Sequence, residues 1–313
     1  MHKFHLAVLT LVFLIIASCG NSLATEVIKT DKAITNSDSQ DKSEVLPEDS
    51  NSQTKADSSN KSGQWIQEIS YGGIEVDVII DKPKSNNTDV IMLFHGTAGI
   101  DSKILSASEL ILGNSKRMLS DREILYVSVV YPEEDLLFGD NIKFGEAAVN
   151  WVKEKMPKEL GVTMKKLFMI GHSQGGHMVT KLGRLFEVDG IISNAPGPLN
   201  LAERCKREID GDIEISAPCQ KLTETFGSVI DNPSEYIDRS LLSKIDGFKS
   251  RILFTQGLKD ADIQLDFWPI LKNKVAACTD CKKFEFVEFE NGAHPALFTE
   301  SNGIKVLKDF LDL

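Results

Sequence analysis

From Trp65 onward, short apolar runs alternate with stretches in which apolar residues recur at helical spacing. That alternation predicts an α/β domain, a mostly parallel sheet with helices on both faces. Trp65 to Tyr71 and Ile74 to Ile80 read as an opening antiparallel pair joined at Gly72-Gly73. Val90 to Phe94 is a fully apolar strand, and Ile124 to Val130 is another strand. Asn141 to Met156 is helical, and Leu167 to Ile170 is a buried strand that ends at Gly171. The segment Gly176 to Phe186 follows with helical spacing at Met178, Leu182, Leu185 and Phe186. Gly190 to Ser193, Arg251 to Thr255 and Phe284 to Phe289 read as further strands, and Ile304 to Leu311 closes as an amphipathic helix. Between Asn194 and Ser250 no strong strand signal appears, so residues of about 195–250 are the candidate for a lid inserted over the sheet.

The first part of the chain follows a different pattern. Lys3 precedes an apolar run from Leu6 to Ile16 that is too short to span a bilayer and reads as a targeting segment. Ile16-Ala17-Ser18-Cys19 resembles a bacterial lipobox. That resemblance implies a signal peptide over 1–18 and a lipid-carrying Cys19 as the first mature residue. Gly20, where an Asp would retain the protein at the inner membrane, implies the outer membrane in a Gram-negative host. An ordinary secretory signal that happens to contain a cysteine is the alternative. The stretch from Asn21 to about Ser62 is rich in Ser, Asp, Asn, Lys, Thr and Gln and has no aromatic residue. It cannot bury enough apolar surface to order itself. Residues 19–62 therefore read as a lipidated tether with a random-coil span of roughly 35–40 Å. The domain proper runs over 63–313, a typical size for one α/β domain.

The formal charge of −11 opposes binding to nucleic acid and electrostatic adhesion to anionic lipid. With Cys19 taken by lipid, Cys205, Cys219, Cys278 and Cys281 remain, an even set that outside the cytosol suggests two disulfides. Sequence proximity pairs Cys205 with Cys219 and Cys278 with Cys281. The alternatives for Cys278-Thr-Asp-Cys281 are a redox pair or half a zinc site, but no second C-x-x-C or His pair completes a metal site. No metal or organic cofactor motif and no internal repeat is visible.

Candidate chemistry centres on Gly171-His172-Ser173-Gln174-Gly175, which matches G-x-S-x-G. Its setting is strand, sharp turn, helix, the context in which a serine is held at the apex of a strained turn as a nucleophile. Glycines at 171 and 175 relieve the clashes that such a turn creates. A serine hydroxyl needs a histidine base, and the histidine needs a carboxylate to fix its tautomer. Of the six histidines, His2 and His5 lie in the signal and His95 lies upstream. His172 and His177 belong to the turn and its helix. His294 remains, in Asn291-Gly292-Ala293-His294-Pro295 after the last strand. The acid belongs after the penultimate strand, where Asp260 is the first candidate and Asp262 its rival. Backbone donors for an oxyanion are expected from Gln174 and from Thr97 in His95-Gly96-Thr97-Ala98-Gly99, with His95 shaping the turn.

These pieces resemble the α/β-hydrolase superfamily over essentially all of residues 65–313. Asn150-Trp151 through Gly176, and Phe226-Gly227 with Tyr236 and Arg239-Ser240-Leu241-Leu242 running into Asp260, resemble the prolyl oligopeptidase and dienelactone hydrolase group. The resemblance implies catalytic roles for Ser173, Asp260 and His294 and a serine hydrolase without cofactor. Two departures bear on substrate. The tether leaves no room for an N-terminal propeller, and the oxyanion loop reads His-Gly-Thr-Ala-Gly where the group has His-Gly-Gly-Pro. Both favour a compact esterase. A serine peptidase or amidase of the prolyl oligopeptidase type and a catalytically silent surface-binding lipoprotein stay open. The expected partners are a small ester or short peptide substrate and the membrane that holds the Cys19 lipid.

Overall fold

The structure, a computed structural model, describes residues 61–134 and 137–312. The signal segment, Cys19 and the tether lie outside the described residues, save Lys61 and Ser62. Eight strands run in chain order: β1 (Gly63–Tyr71), β2 (Ile74–Lys82), β3 (Asn87–Phe94), β4 (Ile124–Val130), β5 (Thr163–His172), β6 (Gly190–Asn194), β7 (Ile252–Gly257) and β8 (Phe284–Phe289). They form one sheet in the order β1-β2-β4-β3-β5-β6-β7-β8. β2 pairs antiparallel with β1 and β4, and every later pairing is parallel. Among the described residues ten α-helices accompany them: α1 (Ile104–Met118), α2 (Ile142–Glu154), α3 (Met156–Glu159), α4 (Gln174–Leu185), α5 (Leu201–Asp210), α6 (Ala217–Phe226), α7 (Pro233–Arg239), α8 (Asp262–Ala276), α9 (Ala296–Thr299) and α10 (Gly303–Leu311). Among the described residues no helix is long and apolar enough to cross a membrane.

The inner strands are apolar without alternation because both of their faces are covered. On β3, Val90, Met92 and Phe94 join Trp151 and Val152 of α2, Val179 and Leu182 of α4, and Trp268 and Leu271 of α8 in one core. Ile91 and Leu93 point the other way, with Ile111 and Leu112 of α1 and Leu307, Phe310 and Leu311 of α10. Burying each such side chain stabilises the fold by about 1.5–3 kcal/mol. These two layers make the sheet a rigid platform whose parallel strands all end on one edge, where the loops that carry chemistry emerge.

The structure adds α1, for which apolar spacing gives no clear signal. Its buried face mixes Ser108 and Ser115 with Ile111, Leu112 and Met118, while Leu110 is 66% exposed. Of the two buried serines, Ser108 is hydrogen-bonded, whereas the Ser115 hydroxyl has no partner among the described residues. Ser108 Oγ donates to the Val129 carbonyl at 3.2 Å, and Ser128 Oγ donates to the Ser108 carbonyl at 3.0 Å. Hydrogen bonds thus replace part of the apolar stripe. The helix after β5 starts at Gln174 rather than Gly176, and Leu185 is exposed instead of facing the core.

The inserted segment is helical. α5, α6 and α7 enclose a small core of their own, with Leu201, Leu222, Val229 and Tyr236 around the Cys205–Cys219 pair and Phe138. Cys205 and Cys219 are disulfide-bonded with Cα atoms 5.3 Å apart, and Cys278 and Cys281 likewise at 5.6 Å. Asp280 beside the second pair completes a group of three potential metal ligands. Sulfurs bonded to each other are not the thiolates a metal needs.

Replacing Cys205 and Cys219 together by alanine is expected to lower stability by about 3 kcal/mol, the loop-closure contribution of a bridge of this span. Chemical denaturation checks the size, and proteolysis between α5 and α6 should quicken in the variant.

Candidate active site

Ser173 sits where β5 turns into α4, with φ 55° and ψ −116°. This backbone conformation costs a non-glycine residue roughly 1–3 kcal/mol, so its surroundings must over-determine it. They do so through three backbone hydrogen bonds. Ser173 N donates to the Asn194 carbonyl (2.9 Å), and the Ser173 carbonyl accepts from His177 N (3.0 Å) and Gly197 N (3.1 Å). The turn also requires bare backbone on both sides. A Cβ on Gly171 would lie 2.0 Å from the Gly175 oxygen, and a Cβ on Gly175 would lie 1.9 Å from the Phe94 oxygen.

The loops after β7 and β8 interlock in the same manner. A Cβ on Gly257 would meet the Ala293 oxygen at 2.1 Å, and Lys259 N donates to the Gly292 carbonyl at 2.9 Å. This contact brings Asp260 to His294, whose Nδ1 donates to Asp260 Oδ2 at 2.6 Å. Gln256 Nε2 donates to the same oxygen (2.8 Å) and Ala261 N to Oδ1 (2.7 Å). Burial alone would raise the Asp260 carboxyl, but the hydrogen bonds and charge from these donors, His294 first, hold it below its ordinary value. Asp262, the rival acid, is the first residue of α8 and has no bond to His294 among the described residues. With the proton on Nδ1, the other imidazole nitrogen of His294 is the basic one.

His172 forms the floor beneath His294, with ring centroids 4.9 Å apart. Asn194 Nδ2 donates to His172 Nδ1 at 2.8 Å, and Asn194 Oδ1 accepts from Thr255 Oγ1 at 2.8 Å. Burial, reinforced by the neighbouring His294, pushes the His172 pKa down to about 4. His177 lies away from these groups, fully buried under Phe138 with Nε2 bonded to the Arg239 carbonyl at 3.1 Å.

The loop after β3 runs against the serine: a Cβ on Gly96 would be 3.3 Å from Ser173 Cβ. Thr97 follows in that loop, and Gln174 opens α4. His95 shapes the loop from inside. Its Nδ1 donates to the Gly96 carbonyl at 2.7 Å, its ring stacks on Tyr131 at 4.0 Å, and burial lowers its pKa to about 4. The Tyr131 hydroxyl donates to the His95 carbonyl. Sequence reasoning passed over the residue that fastens the rest of the loop. Glu133 Oε2 accepts from Ala98 N (2.7 Å) and Gly99 N (2.8 Å), while Asp101 Oδ1 accepts from Glu133 N (2.7 Å) and Glu134 N (2.8 Å). Burial raises the Glu133 carboxyl against the pull of those two amides. The available signal was its place, a charged residue just past the apolar strand β4 at the edge where ligands bind.

Two adjoining cavities of about 310 and 360 Å³ meet at Thr97, Ser173 and His294. The first is walled by α1 and α9 through Ile111, Leu110 and Phe298, and the second by the lid and Asp260. A third, of about 260 Å³, lies on the side of Gln174 and also touches Thr97.

No protein-family profile matches the chain, and no curated protein does. Solved structures do match. A propionate-bound thermophilic esterase of the planctomycete Thermogutta terrifontis aligns with TM-score 0.55 and 16% identity over 80% of this chain and 94% of that one. An esterase of Pyrococcus furiosus aligns with TM-score 0.60 and 13% identity over 80% of this chain and 91% of that one. The acylaminoacyl peptidase of Pyrococcus horikoshii aligns with TM-score 0.55 and 18% identity over 80% of this chain but 40% of its own length. The chain has the α/β-hydrolase fold. In this α/β-hydrolase domain Ser173, Asp260 and His294 follow β5, β7 and β8, all at the carboxyl edge of the sheet.

Glu133→Ala is expected to release the amides of Ala98 and Gly99 and to cost roughly 2 kcal/mol, the size of lost hydrogen bonds to a charged group. Hydrogen exchange at those amides checks it; unchanged protection would show that Glu133 does not hold the loop.

Acid stability follows from three desolvated imidazoles, His95, His172 and His177, each with its pKa lowered by burial. His95 and His172 stay neutral in the fold down to about pH 4, whereas the unfolded chain protonates near 6.5. Below 6.5 the unfolded state binds protons that the fold refuses, so stability falls as pH drops from 6.5 towards 4, by up to about 1.4 kcal/mol per pH unit for each ring. Denaturation midpoints measured across that interval check the slope, which should become shallower when His95 and His172 are replaced by glutamine, the remainder coming from His177.

Proposed function

We propose that the protein is a serine hydrolase that cleaves carboxylic esters through an acyl-enzyme. The observation that carries the reading is the Asp260–His294 hydrogen bond of 2.6 Å beside a cavity that both His294 and the strained Ser173 line. Ser173 Oγ attacks the ester carbonyl while the unprotonated nitrogen of His294 takes its proton. Asp260 holds the tautomer and stabilises the imidazolium that forms. The oxyanion is met by the backbone N–H of Gln174, at the positive end of α4, and that of Thr97. His294 returns the proton to the leaving alcohol, and water, activated by the same nitrogen, releases the acid. The half-buried His172 beneath His294, its pKa lowered by desolvation to about 4, adds no competing charge.

A second reading is a peptidase or amidase using the same three residues. It is supported by the likeness to the acylaminoacyl peptidase and to a puromycin hydrolase, which aligns at TM-score 0.57 over 82% of this chain and 40% of its own length. The match to whole esterase chains favours the ester reading. The lipobox-like Ile16-Ala17-Ser18-Cys19 supports a further part of the proposal, that Cys19 carries lipid and tethers the enzyme in a bacterial cell envelope, in the outer membrane of a Gram-negative host.

Hydrolysis of p-nitrophenyl esters of increasing chain length, wild type beside Ser173→Ala, tests the function. Loss of turnover by at least about 10⁴-fold in the variant is expected. Serine-independent turnover would refute the role of Ser173. Turnover confined to aminoacyl or prolyl amides would move the assignment to a peptidase, and no labelling of folded protein by a fluorophosphonate would leave a binding protein.

A further inference from the structure

The lid brings one cation to the cleft. Arg204, on α5, lines the cavity that also holds Ser173, Asp260 and His294. Its neighbour Cys205 is bonded to Cys219, which fixes α5 against the start of α6. Arg204 is held by one end only. Its Nε donates to Glu208 Oε1 at 2.9 Å, with a longer contact to Ser216 Oγ at 3.4 Å. Glu208, 2% exposed at the side chain, has its other oxygen occupied by Ser216 N at 2.9 Å. The carboxylate therefore grips the guanidinium by its inner edge. Nη1 and Nη2 have no acceptor among the described residues, and the side chain is 33% exposed.

No other charged acceptor in the cavity is free for these donors. Leu201, Pro198, Pro218, Phe138 and Ile263 supply its apolar wall, beside the neutral side chains of Thr97 and Gln264. Asp260 borders the same cavity, but both of its oxygens are engaged by His294, Gln256 and Ala261. A planar fork of charged N–H groups in a largely apolar cleft matches a carboxylate, which takes two parallel hydrogen bonds from it. A neutral carbonyl would use one of them.

We propose that Arg204 is a specificity residue that selects substrates bearing a carboxylate on the portion held under the lid. This rests on reading the Ser173 cleft as hydrolytic. The recognition is made at contact distance; the overall charge of −11 opposes an anion at long range. The substrate class is thus a half-ester of a dicarboxylic acid, or an ester whose alcohol carries a carboxylate.

Two isosteric substrate pairs test it: mono-4-nitrophenyl glutarate beside 4-nitrophenyl 5-methylhexanoate, and 4-acetoxybenzoate beside 4-isopropylphenyl acetate. The measured quantity is the anionic-to-neutral ratio of kcat/KM, compared between wild type and variant so that intrinsic reactivity cancels. In Arg204→Met the ratio should fall about tenfold or more for one pair, with Arg204→Lys in between. Because Arg204→Met strands the buried Glu208, the double variant Arg204→Met/Glu208→Met is run beside it, and both are checked for native circular dichroism. A ratio unchanged in both folded variants, for both pairs, overturns the proposal. If no ester shows turnover that depends on Ser173, the hydrolytic reading fails on its own. The arginine site is then judged by binding: glutarate should raise the melting temperature of Ser173→Ala protein and not of Ser173→Ala/Arg204→Met. Equal shifts, or none in either, overturn it.

Discussion

The oxygen of Phe94 occupies the space in which a side chain on Gly175 would begin. That contact between two backbones ties the end of β3 to the turn between β5 and α4, and the rest of the carboxyl edge of the sheet is arranged around it. β3 and β5 are neighbours in parallel register, with Phe94 opposite Gly171, so the loop bearing Thr97 and the turn bearing Ser173 leave the sheet side by side. β6 supplies the Asn194 carbonyl that holds the Ser173 amide, and β7 and β8 come next in order with Asp260 and His294. Groups far apart in sequence thus stand in a row because the strand order places their loops in a row. Strain at Ser173 is sustained by this framework, in which backbones approach closely at Gly171, Gly175 and Gly257.

Electrostatics in this region follow burial. His95 and His172 are kept neutral and serve as shaped, hydrogen-bonded spacers, one under the loop of Thr97 and one under His294. Asp260 alone among the buried acids here gathers enough donors to overcome desolvation. Glu133 receives two backbone amides, yet burial outweighs them and raises its carboxyl. The contrast separates a carboxylate set to orient an imidazole from one set to brace a loop.

Much of the strand pattern was legible because parallel strands covered on both faces are apolar without interruption, as Val90 to Phe94 is, while the edge strand Phe284 to Phe289 shows through its aromatic and β-branched residues despite Glu285 and Glu288. Ser173 stood out through glycines whose absence of a side chain is a steric demand, and His294 through its loop after the last strand. The choice between Asp260 and Asp262 was open in the sequence, since it depends on how Gly257 packs against Ala293. Glu133, Asn194 and Arg204 were not legible. Glu133 and Asn194 act through partners distant in the chain, and nothing local marks a glutamate whose oxygen will meet two amides more than thirty residues away; Arg204 pairs locally with Glu208, and only the fold brings it to the cleft. α1 escaped for a related reason: Ser108 and Ser115 take core positions that a hydrophobic pattern reserves for aliphatic side chains.

The lid has its own apolar cluster and its own disulfide, and the sheet has no need of either for its two large cores. A substitution inside that cluster can therefore reshape the cleft wall while the two large cores keep their packing, provided the lid's anchors to the platform, the Arg239 carbonyl on His177 and Arg207 on Asp266, stay in place.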